Sequence, residues 1–358
     1  MEDMVNIRET YKDKRVFITG HTGFKGSWLL TWLHSLGAII KGYALDPENS
    51  HDLYNQIEGE TLCESTIADI RNKELLKNEI IKFKPDFIFH LAAQPLVRLS
   101  YDIPVETFEV NVIGTANVLE AVRSLEKSCA VICITTDKVY ENKEWHYPYR
   151  ESDRLGGHDP YSASKVASEI VISSYRSSYF NPNNYETHKK SIASARAGNV
   201  IGGGDWAKDR IIPDIIRALN NKKNIMVRNP YAVRPWQHVL EPINGYLMLG
   251  QYLVKDPIHY ATAWNFGPYI EDTLTVKELV EIAIQKYGSG EYETSNQSDQ
   301  HHEAGLLKLD INKTINELGW KPKWNANQAI KETMDFYKFA SRNTKDYLIQ
   351  QINKYLTT

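Results

Sequence analysis

Three polar residues that could move protons stand side by side where an apolar run ends. The stretch ITTDKVYEN, residues 134–142, contains Thr136, Asp137 and Lys138 in succession. An acid and an amine next to each other can act as the proton donor and the proton acceptor for one substrate. A solvated turn after a buried strand would have the same composition, so the choice depends on the rest of the chain.

A tyrosine and a lysine form a second reactive pair. Tyr161 and Lys165 stand four residues apart in YSASK and would share one face of a helix. A lysine ammonium beside a phenol favours the phenolate and lowers the pKa of the phenol from about 10. We therefore expect Tyr161 to act as a base with Lys165 beside it, although a merely polar helix face would give the same spacing.

A glycine-rich turn stands between an apolar stretch and a segment of helical spacing. Its three glycines occur at every third position in GHTGFKG, residues 20–26. Glycines at the first βα turn let the backbone approach a pyrophosphate, and the unpaired N–H groups at the helix start then face the phosphates. The residues of this turn that we expect to bind a dinucleotide are Gly20, Thr22, Gly23, Phe24, Lys25 and Gly26.

One acidic residue indicates which dinucleotide is bound. Asp46 ends the second predicted strand, in the stretch YALD. A carboxylate at this place accepts hydrogen bonds from the adenosine ribose hydroxyls and disfavours a 2′-phosphate, which predicts NAD rather than NADP. The alternative is an ordinary turn aspartate before Pro47.

Apolar strands and amphipathic helices alternate from about residue 15 to 200. The predicted strands are RVFIT, AIIKGYAL, DFIFHLAA, AVICITT and IASARAGNVIG, and the predicted helices are SWLLTWLHSLG, residues 73–83, FEVNVIGTANVLEAVRSL and SASKVASEIVISSYRSSYF. This alternation predicts an α/β fold with a doubly wound parallel sheet. We expect an NAD-binding domain over residues 1–188, to which part of 232–262 returns, and a smaller α/β substrate domain over 189–358.

Composition excludes several functional classes. The chain has 358 residues, 42% of them hydrophobic and 24% charged, with a net charge of −3, so we expect neither a nucleic-acid nor a membrane partner. The three cysteines, Cys63, Cys129 and Cys133, include no C-x-x-C, and the pair His301-His302 is more typical of a surface, so no metal site is expected. The acid-containing first residues are unlike a signal peptide, which predicts a cytoplasmic protein.

Longer motifs extend the interpretation to a family. The glycine spacing resembles the T-G-x-x-G-x-x-G of the extended short-chain dehydrogenases/reductases, the NAD-dependent epimerases and dehydratases. The stretches AAQPLVRLSYDIP, TTDKVYEN, GGGDWAKDRIIPDIIRAL and RPWQHVLEP resemble the sugar-nucleotide 4,6-dehydratases of that family, and the match runs over about residues 13–325. The resemblance implies a Rossmann-type fold, a hydro-lyase reaction with internally recycled NAD, and CDP-glucose as the substrate, for deoxysugar and O-antigen-type polysaccharide biosynthesis.

The resemblance also implies a role for each reactive residue. Tyr161, assisted by Thr136, takes the proton of the sugar 4-hydroxyl while hydride leaves C4 for NAD. Lys138 then removes the C5 proton, Asp137 protonates the departing 6-hydroxyl, and hydride returns to C6. The last two steps need a neutral lysine and a protonated aspartate, whereas neighbouring groups of these types favour the ion pair.

Further binding residues follow from the same resemblance. The cofactor would also contact a second group of residues, namely Asp69 and Ile70 at the adenine, and Leu91, Ala92, Ala93, Asn111, Thr135, Tyr161 and Lys165. The substrate would contact Gln94, Arg98, Asn199, Arg210, Arg234 and His238. A guanidinium such as that of Arg234 suits phosphate oxygens because it can bind two of them at once.

Three alternatives remain open at this point. An epimerase would share Tyr161 and Lys165 but would not need an acid and a base after Thr136. A regulatory NAD sensor would be expected to have lost the tyrosine or the lysine. A 4,6-dehydratase acting on a GDP- or dTDP-linked sugar would keep every motif. Related enzymes pair the helices near Asn111 and Tyr161, so a homodimer or a dimer of dimers is expected.

Overall fold

The computed structural model describes residues 2–294, 306–340 and 343–358, and a parallel sheet organises them. The strands are, in chain order, β1 (Arg15–Thr19), β2 (Ile39–Ala44), β3 (Glu64–Ile67), β4 (Phe87–His90), β5 (Cys129–Ile134), β6 (Lys190–Ala197), β7 (Val200–Ile201), β8 (Ile225–Val227), β9 (Val233–Arg234), β10 (Gln237–His238), β11 (Ala263–Phe266), β12 (Leu274–Thr275) and β13 (Tyr292–Thr294).

Helices connect most of these strands. They are, in chain order, α1 (Glu2–Tyr11), α2 (Phe24–Ser35), α3 (Leu53–Gln56), α4 (Lys73–Phe83), α5 (Val97–Asp102), α6 (Pro104–Phe108), α7 (Gly114–Arg123), α8 (Pro160–Ser178), α9 (Tyr185–His188), α10 (Ile211–Asn220), α11 (Leu240–Lys255), α12 (Val276–Tyr287), α13 (Asn312–Leu318), α14 (Ala326–Phe339) and α15 (Thr344–Thr357). A wider π-helical turn, Glu109–Ile113, joins α6 to α7.

Seven strands form one sheet in the order β3-β2-β1-β4-β5-β6-β11, with every neighbouring pair parallel. Alternate residues of the strands face opposite layers of helices. Ile18 and Ile132 belong to the core with α1, α2 and α11, whereas Phe17 and Val131 belong to the core with α4, α7 and α8. Burial on both faces explains why these strands are continuous apolar runs. The predicted doubly wound α/β fold is confirmed.

The chain beyond residue 188 contributes to this sheet and to a smaller core. β6 begins two residues after the predicted boundary and lies inside the sheet, and β11 forms its edge. Part of residues 232–262 was expected to return to the NAD-binding domain. α11, which lies in this segment, packs in the same core as α1 and α2. A third hydrophobic cluster joins α10, α12, α14 and β8. The extent to which the two halves are separate domains stays a prediction.

Local signals explain several helix boundaries. The Asn72 side chain accepts the backbone N–H of Leu75 at the start of α4, which begins and ends as the sequence predicts. Asp159 and Ser162 form a reciprocal capping box at the start of α8, with Pro160 in the first turn. These caps fix where α8 begins and therefore the height of Tyr161 above the sheet.

Other boundaries differ from the prediction. The polar first residues form α1, whose Tyr11 hydroxyl donates to the carbonyl of Leu247 at 2.8 Å. The predicted strand IASARAGNVIG is broken between β6 and β7, where Asn199 adopts a φ of +51°. The predicted helix FEVNVIGTANVLEAVRSL begins earlier than expected, at Pro104 in α6, and Asn111 lies in the wide turn inside it.

Neither cysteine chemistry nor a membrane span is indicated by the described residues. Cys129 and Cys133 are buried in β5 as free thiols, and burial raises the pKa of each to about 12. Among the helices described, none combines the length and apolar character needed to cross a membrane. His301 and His302 lie outside the described residues.

A buried carboxyl group anchors the C-terminal helix. Glu241, at the start of α11, is fully buried and accepts hydrogen bonds from the backbone N–H groups of Lys323 and Trp324 and from the Tyr355 hydroxyl, at 3.0, 2.7 and 2.7 Å. Burial raises the pKa of Glu241 from 4.5 to about 7, although these hydrogen bonds oppose the rise. The folded protein therefore holds a proton here that the unfolded chain releases near pH 4.5.

We predict that Glu241→Gln flattens the pH dependence of stability. A raised pKa in the folded state contributes stability that is complete below about pH 4.5 and is lost as the pH rises through about 7. Relative to Glu241→Gln, the wild-type protein should lose roughly 3 kcal/mol of unfolding free energy between about pH 5 and pH 8. Urea unfolding of both proteins across this range measures the difference, and parallel curves would contradict the prediction.

Candidate active site

The glycine turn brings the backbones of β1, α2 and β4 together. Gly20 has a φ of +77°, and a Cβ there would lie 2.7 Å from the backbone nitrogen of Ala92, while a Cβ on Gly26 would overlap the carbonyl of Gly20. Only glycine satisfies both constraints. α2 then begins at Gly23 with no side-chain cap, so its first N–H groups face the space above the turn.

That space is a cavity of about 330 Å³ at the carboxyl edge of the sheet. Sixteen of the residues predicted to form the site line it, namely Gly20, Thr22, Gly23, Phe24, Lys25, Gly26, Asp69, Ile70, Leu91, Ala92, Ala93, Thr135, Thr136, Tyr161, Lys165 and Arg210. They come from the ends of four strands and from α2, α8 and the loop before α10. Most of the site residues predicted from the sequence therefore lie around one cavity.

Two predicted cofactor residues do not line the cavity. Asp46 is exposed just beyond Leu45, which does line it. Asn111 is buried behind the cavity, where its Oδ1 accepts the backbone N–H of Gln94 at 2.8 Å and its Nδ2 donates to Ser164 at 2.8 Å. Asn111 thus holds the loop after β4 against α8, and a contact with the cofactor stays a prediction.

The far end of the cavity carries an arginine that the sequence interpretation missed. Arg71 lines the cavity and donates to both oxygens of Asp69, at 2.6 Å in the closest contact, and it also pairs with Glu109 at 3.1 Å. The hydrogen bond from Arg71 holds the pKa of Asp69 below its ordinary value. The adjacency of Asp69, Ile70 and Arg71 in the sequence was the available signal.

Helix α8 places the tyrosine and the lysine over the end of β5. The backbone N–H of Tyr161 donates to Ser100 at 3.1 Å, and the Lys165 Nζ donates to the carbonyl of Ile134 at 3.1 Å. The side chain of Thr136 hydrogen-bonds the Tyr161 phenol and lowers its pKa. Thr136, Tyr161 and Lys165 therefore line one wall, as predicted.

The protonation of the tyrosine differs from the prediction. Burial raises the pKa of Tyr161 from 10.0 to about 12, and this effect outweighs the opposing hydrogen bond from Thr136. Burial also lowers the pKa of Lys165 from 10.5 to about 8, against the influence of Glu169. Burial thus has the largest effect on the pKa of the phenol, and the influence of Lys165 on it stays a prediction.

The adjacent acid and lysine have different surroundings. Asp137 is buried, with its Oδ1 accepting the Thr136 hydroxyl at 2.9 Å and its Oδ2 accepting Asn199 Nδ2 at 3.3 Å. Gly198 packs so closely on this carboxyl group that a Cβ there would overlap it. Lys138 is exposed on the same turn and is not among the residues that line the cavity.

A different lysine faces the buried acid. Burial, followed by the charge of Arg210, lowers the pKa of Lys25 from 10.5 to about 8, and the charge of Asp137 acts in the opposite direction. Among the described residues, no salt bridge joins Asp137 to Lys138, and the protonation states that the two residues need stay a prediction. The cations electrostatically coupled to Lys25 are Arg210 and Lys165, which makes this end of the cavity positive.

A buried ion pair supports the catalytic strand end. Both Glu169 oxygens accept from the Arg196 guanidinium, at 3.0 Å each, and Glu169 also accepts the hydroxyls of Thr135 at 2.5 Å and Ser194 at 2.9 Å. Glu169 was not predicted to support the site. Its position four residues after Lys165 on α8 was the available signal.

A buried histidine fixes the loop that follows β4. The Thr19 hydroxyl lies 2.7 Å from His90 Nδ1 and accepts the backbone N–H of Ala92, while His90 Nε2 lies 3.0 Å from the Thr115 hydroxyl, which donates to Asn111. These partners require a neutral ring with its proton on Nε2. Burial also keeps the ring neutral, because it lowers the pKa of His90 to about 3.

The predicted substrate residues divide into two groups. Arg210 lines the cavity and pairs with Asp205 at 2.9 Å, and Arg98 lies 3.8 Å from Asp209. Asn199 contacts Asp137, as described above. Arg234 lies on β9, where its Nη1 donates to the carbonyl of Val233 at 3.0 Å. For these four residues, a contact with the substrate stays a prediction.

Two other substrate candidates have structural roles. The Gln94 side chain donates to Thr107 at 2.9 Å and accepts the backbone N–H of Leu96, which shapes the loop before α5. His238 is fully buried, and its ring packs edge-on against Trp28 and Trp324. The ring of His238 thus lies in the core, and a contact with substrate stays a prediction.

Comparison with known proteins agrees with this geometry. Among solved structures, the dTDP-glucose 4,6-dehydratase DesIV from Streptomyces venezuelae superimposes with a TM-score of 0.75 at 22% identity, over 90% of this chain and 97% of that chain. The UDP-glucose 4-epimerase from Thermus thermophilus gives a TM-score of 0.75 at 23% identity, over 91% of this chain and 99% of that chain. Both likenesses show that this chain shares the fold of these two proteins.

Sequence comparison narrows the assignment. The family model described as GDP-mannose 4,6 dehydratase matches residues 17–333, so the chain belongs to this family. A CDP-glucose 4,6-dehydratase from Salmonella typhimurium is 48% identical over 350 residues, which are 97% of each chain. A CDP-paratose 2-epimerase from Salmonella typhi is 28% identical, over 90% of this chain and 98% of that protein. The resemblance drawn from the motifs is confirmed.

We predict that Glu169→Gln destabilises the fold strongly. The change leaves the buried Arg196 guanidinium without its counter-charge, and breaking such a pair costs about 3–5 kcal/mol. Chemical unfolding monitored by circular dichroism measures the loss.

The matched control is Glu120→Gln. Glu120 makes the same two-point contact with Arg123, at 2.9 and 2.7 Å, but this pair is exposed on α7. An exposed pair contributes less than about 1 kcal/mol. Equal losses in the two variants would refute the importance of burial at Glu169.

Proposed function

We propose that this protein is a CDP-glucose 4,6-dehydratase that uses NAD and converts CDP-glucose to CDP-4-dehydro-6-deoxy-D-glucose and water. The observation that carries the proposal is the 48% identity with the Salmonella typhimurium CDP-glucose 4,6-dehydratase over 97% of both chains. The cavity adds a base candidate, Tyr161, and the buried acid Asp137 lies directly behind its wall, hydrogen-bonded to Thr136.

The cavity fits a dinucleotide. Close backbone packing at Gly20 and Gly26 leaves room for a pyrophosphate over the uncapped start of α2, and the small residues Ala92 and Ala93 continue the floor. NAD bound there would accept a hydride from the sugar and return it within one turnover. Lys165, at the other end of the floor, is the residue that would hold its nicotinamide ribose.

The first proton leaves the sugar 4-hydroxyl. Thr136 and Tyr161 share a hydrogen bond at the cavity wall, so a hydroxyl placed there would replace one of these contacts and donate to the phenolate. Tyr161 needs additional positive charge to ionise, since burial raises its pKa to about 12. The Arg210 charge lowers this pKa, and the protonated Lys165 at the same wall would favour the phenolate further.

The elimination needs a base at C5 and an acid at the 6-hydroxyl. We assign the acid to Asp137, whose buried carboxyl group is held in place by Thr136 and Asn199. We assign the base to Lys138, which follows on the same turn. An epimerase would not require this pair, and this distinction favours the dehydratase over the epimerase.

The proposal extends to the setting of the enzyme. The product of such a reaction belongs to deoxysugar biosynthesis, including that of O-antigen-type polysaccharides, and a cytoplasmic location goes with this role. The positive end of the cavity, formed by Lys25, Lys165 and Arg210, suits an anionic nucleotide sugar. GDP- and dTDP-linked sugars carry the same diphosphate, so an assay must decide which nucleobase the enzyme accepts.

We predict that the purified protein with NAD forms a 4-keto-6-deoxy sugar from CDP-glucose without net release of reduced cofactor. Mass spectrometry should show the loss of one water, and parallel reactions with dTDP-, GDP- and UDP-glucose should be much slower. A stable oxidised sugar that retains its 6-hydroxyl, with stoichiometric reduced cofactor, would exclude the dehydratase.

The control for this assay is Tyr161→Phe, which keeps the ring but removes the base. Turnover should fall by on the order of a hundredfold to ten-thousandfold, the usual contribution of a positioned acid–base group. NAD binding should persist. Near wild-type turnover would mean that another group deprotonates the 4-hydroxyl.

We predict that Lys138→Ala stalls after the first oxidation. Tyr161 and Lys165 remain, so the variant should accumulate a 4-keto sugar that retains its 6-hydroxyl and exchanges little C5 hydrogen with solvent deuterium. Asp137→Asn should also stall, but it should still exchange at C5 because the base survives. Mass spectrometry of the bound sugar, with the absorbance of reduced nicotinamide as a second readout, distinguishes the variants.

Lys25→Met is the comparison variant, because the charge of the half-buried Lys25 acts on that of Asp137; it is assayed at saturating NAD, since Lys25 also lines the cavity predicted to bind the cofactor. It should retain C5 exchange if Lys138 is the base. Loss of exchange in Lys25→Met together with normal exchange in Lys138→Ala would transfer the role to Lys25.

A homodimer is part of the proposal. Hydrophobic side chains are exposed on the side formed by α6, the wide turn and α8, including Val105 at 70%, Ile113 at 52% and Ile170 at 59% exposure. Adjacent exposed apolar side chains on packed helices mark a surface for association. A second copy of the same helices would cover them.

We predict that light scattering at micromolar concentration gives twice the chain mass of 41.1 kDa. Glu substituted at Ile113 and Ile170 should shift the protein towards the monomer, because a charge would be buried in the interface. The control is Ile258→Glu, since Ile258 is also 52% exposed but lies between α11 and β11. A monomeric wild-type protein would contradict the proposal.

A further inference from the structure

A carboxylate outside the catalytic wall bridges two arginines. Asp209 lies in the loop between β7 and α10, with its Oδ1 2.9 Å from Arg228 Nη1 and 3.8 Å from Arg98 Nη1. Its φ of +61° is in the left-handed region, which is uncommon for a residue other than glycine. The backbone thus adopts an unfavourable conformation that presents this carboxylate to both guanidinium groups.

The two arginines come from different halves of the chain. Arg98 lies on α5, three residues after Pro95, which lines the cavity. Arg228 follows β8, which belongs to the smaller hydrophobic cluster. Asp209 therefore connects the sheet to the smaller cluster. The next residue is Arg210, which lines the cavity and whose charge acts on Tyr161.

The same positive groups are suited to a diphosphate. Three guanidinium groups, from Arg98, Arg210 and Arg228, surround this loop, and arginine binds carboxylates and phosphates with the same planar geometry. Arg210 is paired with Asp205, which is buried, whereas Asp209 is exposed and can leave its partners without being buried elsewhere. Asp209 is thus the carboxylate that a phosphate could most readily displace.

We propose that Asp209 competes with the diphosphate of the nucleotide sugar for Arg98 and Arg228, and so lowers the affinity of the enzyme for its substrate. The inference rests on the proposed function for the identity of the ligand, but its chemistry requires only a diphosphate. When the substrate binds, a phosphate group of greater charge replaces the Asp209 carboxylate at the two guanidinium groups. The loop before α10 is then no longer held by Asp209. Asp209 acts as a positioning residue in this scheme and takes no part in the chemical steps.

The competition has a measurable consequence. Asp209→Asn removes the negative charge but keeps the size of the side chain, and asparagine tolerates the left-handed conformation, so the loop should keep its shape. Each partly exposed ion pair that is lost corresponds to a few-fold change in affinity. The variant should therefore bind a diphosphate about three- to tenfold more tightly than the wild type.

The experiment is calorimetric titration of the NAD-saturated protein with CDP and, separately, with inorganic pyrophosphate. The control is Asp214→Asn, because Asp214 approaches the same Arg228 at 3.6 Å from α10 and its loss changes the net charge equally. It leaves the bridge from Arg98 to Asp209 in place. Tighter binding by Asp209→Asn with nearly unchanged binding by Asp214→Asn would support the competition.

Two results would overturn the proposal. If both variants bind the diphosphate equally more tightly, the effect comes from the change in net charge alone. If Asp209→Asn binds the diphosphate no more tightly than the wild type, or less tightly, Asp209 does not compete with it. In an Arg228→Gln background, Asp209→Asn should increase the affinity for the diphosphate by less, since the guanidinium for which both groups compete is gone. A full gain in that background would likewise contradict the mechanism.

Failure of the proposed function gives a different pattern. If the protein acts on another nucleotide, CDP would bind weakly to all the variants and CDP-glucose would not be converted, whereas the ranking with pyrophosphate would still report on Asp209. Circular dichroism and thermal unfolding of each variant confirm that the compared proteins are folded.

Discussion

The buried pairing of Glu169 with Arg196 is the interaction on which the arrangement of the site depends. It joins three neighbouring elements, α8, β5 and β6, through the guanidinium and the hydroxyls of Thr135 and Ser194. Tyr161 and Lys165 stand on the same helix as Glu169, and Thr136 and Asp137 follow Thr135 on the chain. A buried charge pair of this kind contributes little net stability but fixes geometry, because each charge needs the other.

The pair is continuous with a larger polar network. Arg196 also donates to the Tyr140 hydroxyl at 2.8 Å, and Tyr140 in turn donates to Asn265 at 2.7 Å on the edge strand β11. Asn265 holds the carbonyls of Tyr149 and Asp310. The loop that leads from the catalytic turn to α8 is thereby fixed to the second half of the chain, so the site is supported by segments that are distant in sequence.

The sequence predicted those parts of the fold and site that depend on local patterns. Strand β1, helix α4 and the glycine turn lie where their residues indicate, since burial on two faces, an Asn cap and the need for φ above zero each leave a local signature. Helix α1 was missed because its polar residues show little periodicity. The separate environments of Asp137 and Lys138, and the burial of His238, depend on long-range packing that adjacent residues do not encode.

The anchoring of α15 by Glu241 bears on how the chain reaches its folded state. Tyr355, which completes the set of hydrogen bonds to this carboxyl group, lies 114 residues further along the chain. During synthesis from the N-terminus, Glu241 is therefore made long before Tyr355, and its carboxyl group lacks this hydrogen bond until α15 reaches it. Contacts between residues so far apart in sequence form slowly, because closing a long loop costs entropy. The apolar face of α11 is not subject to this delay, since it packs on β5, β6 and α1, which precede it in the chain.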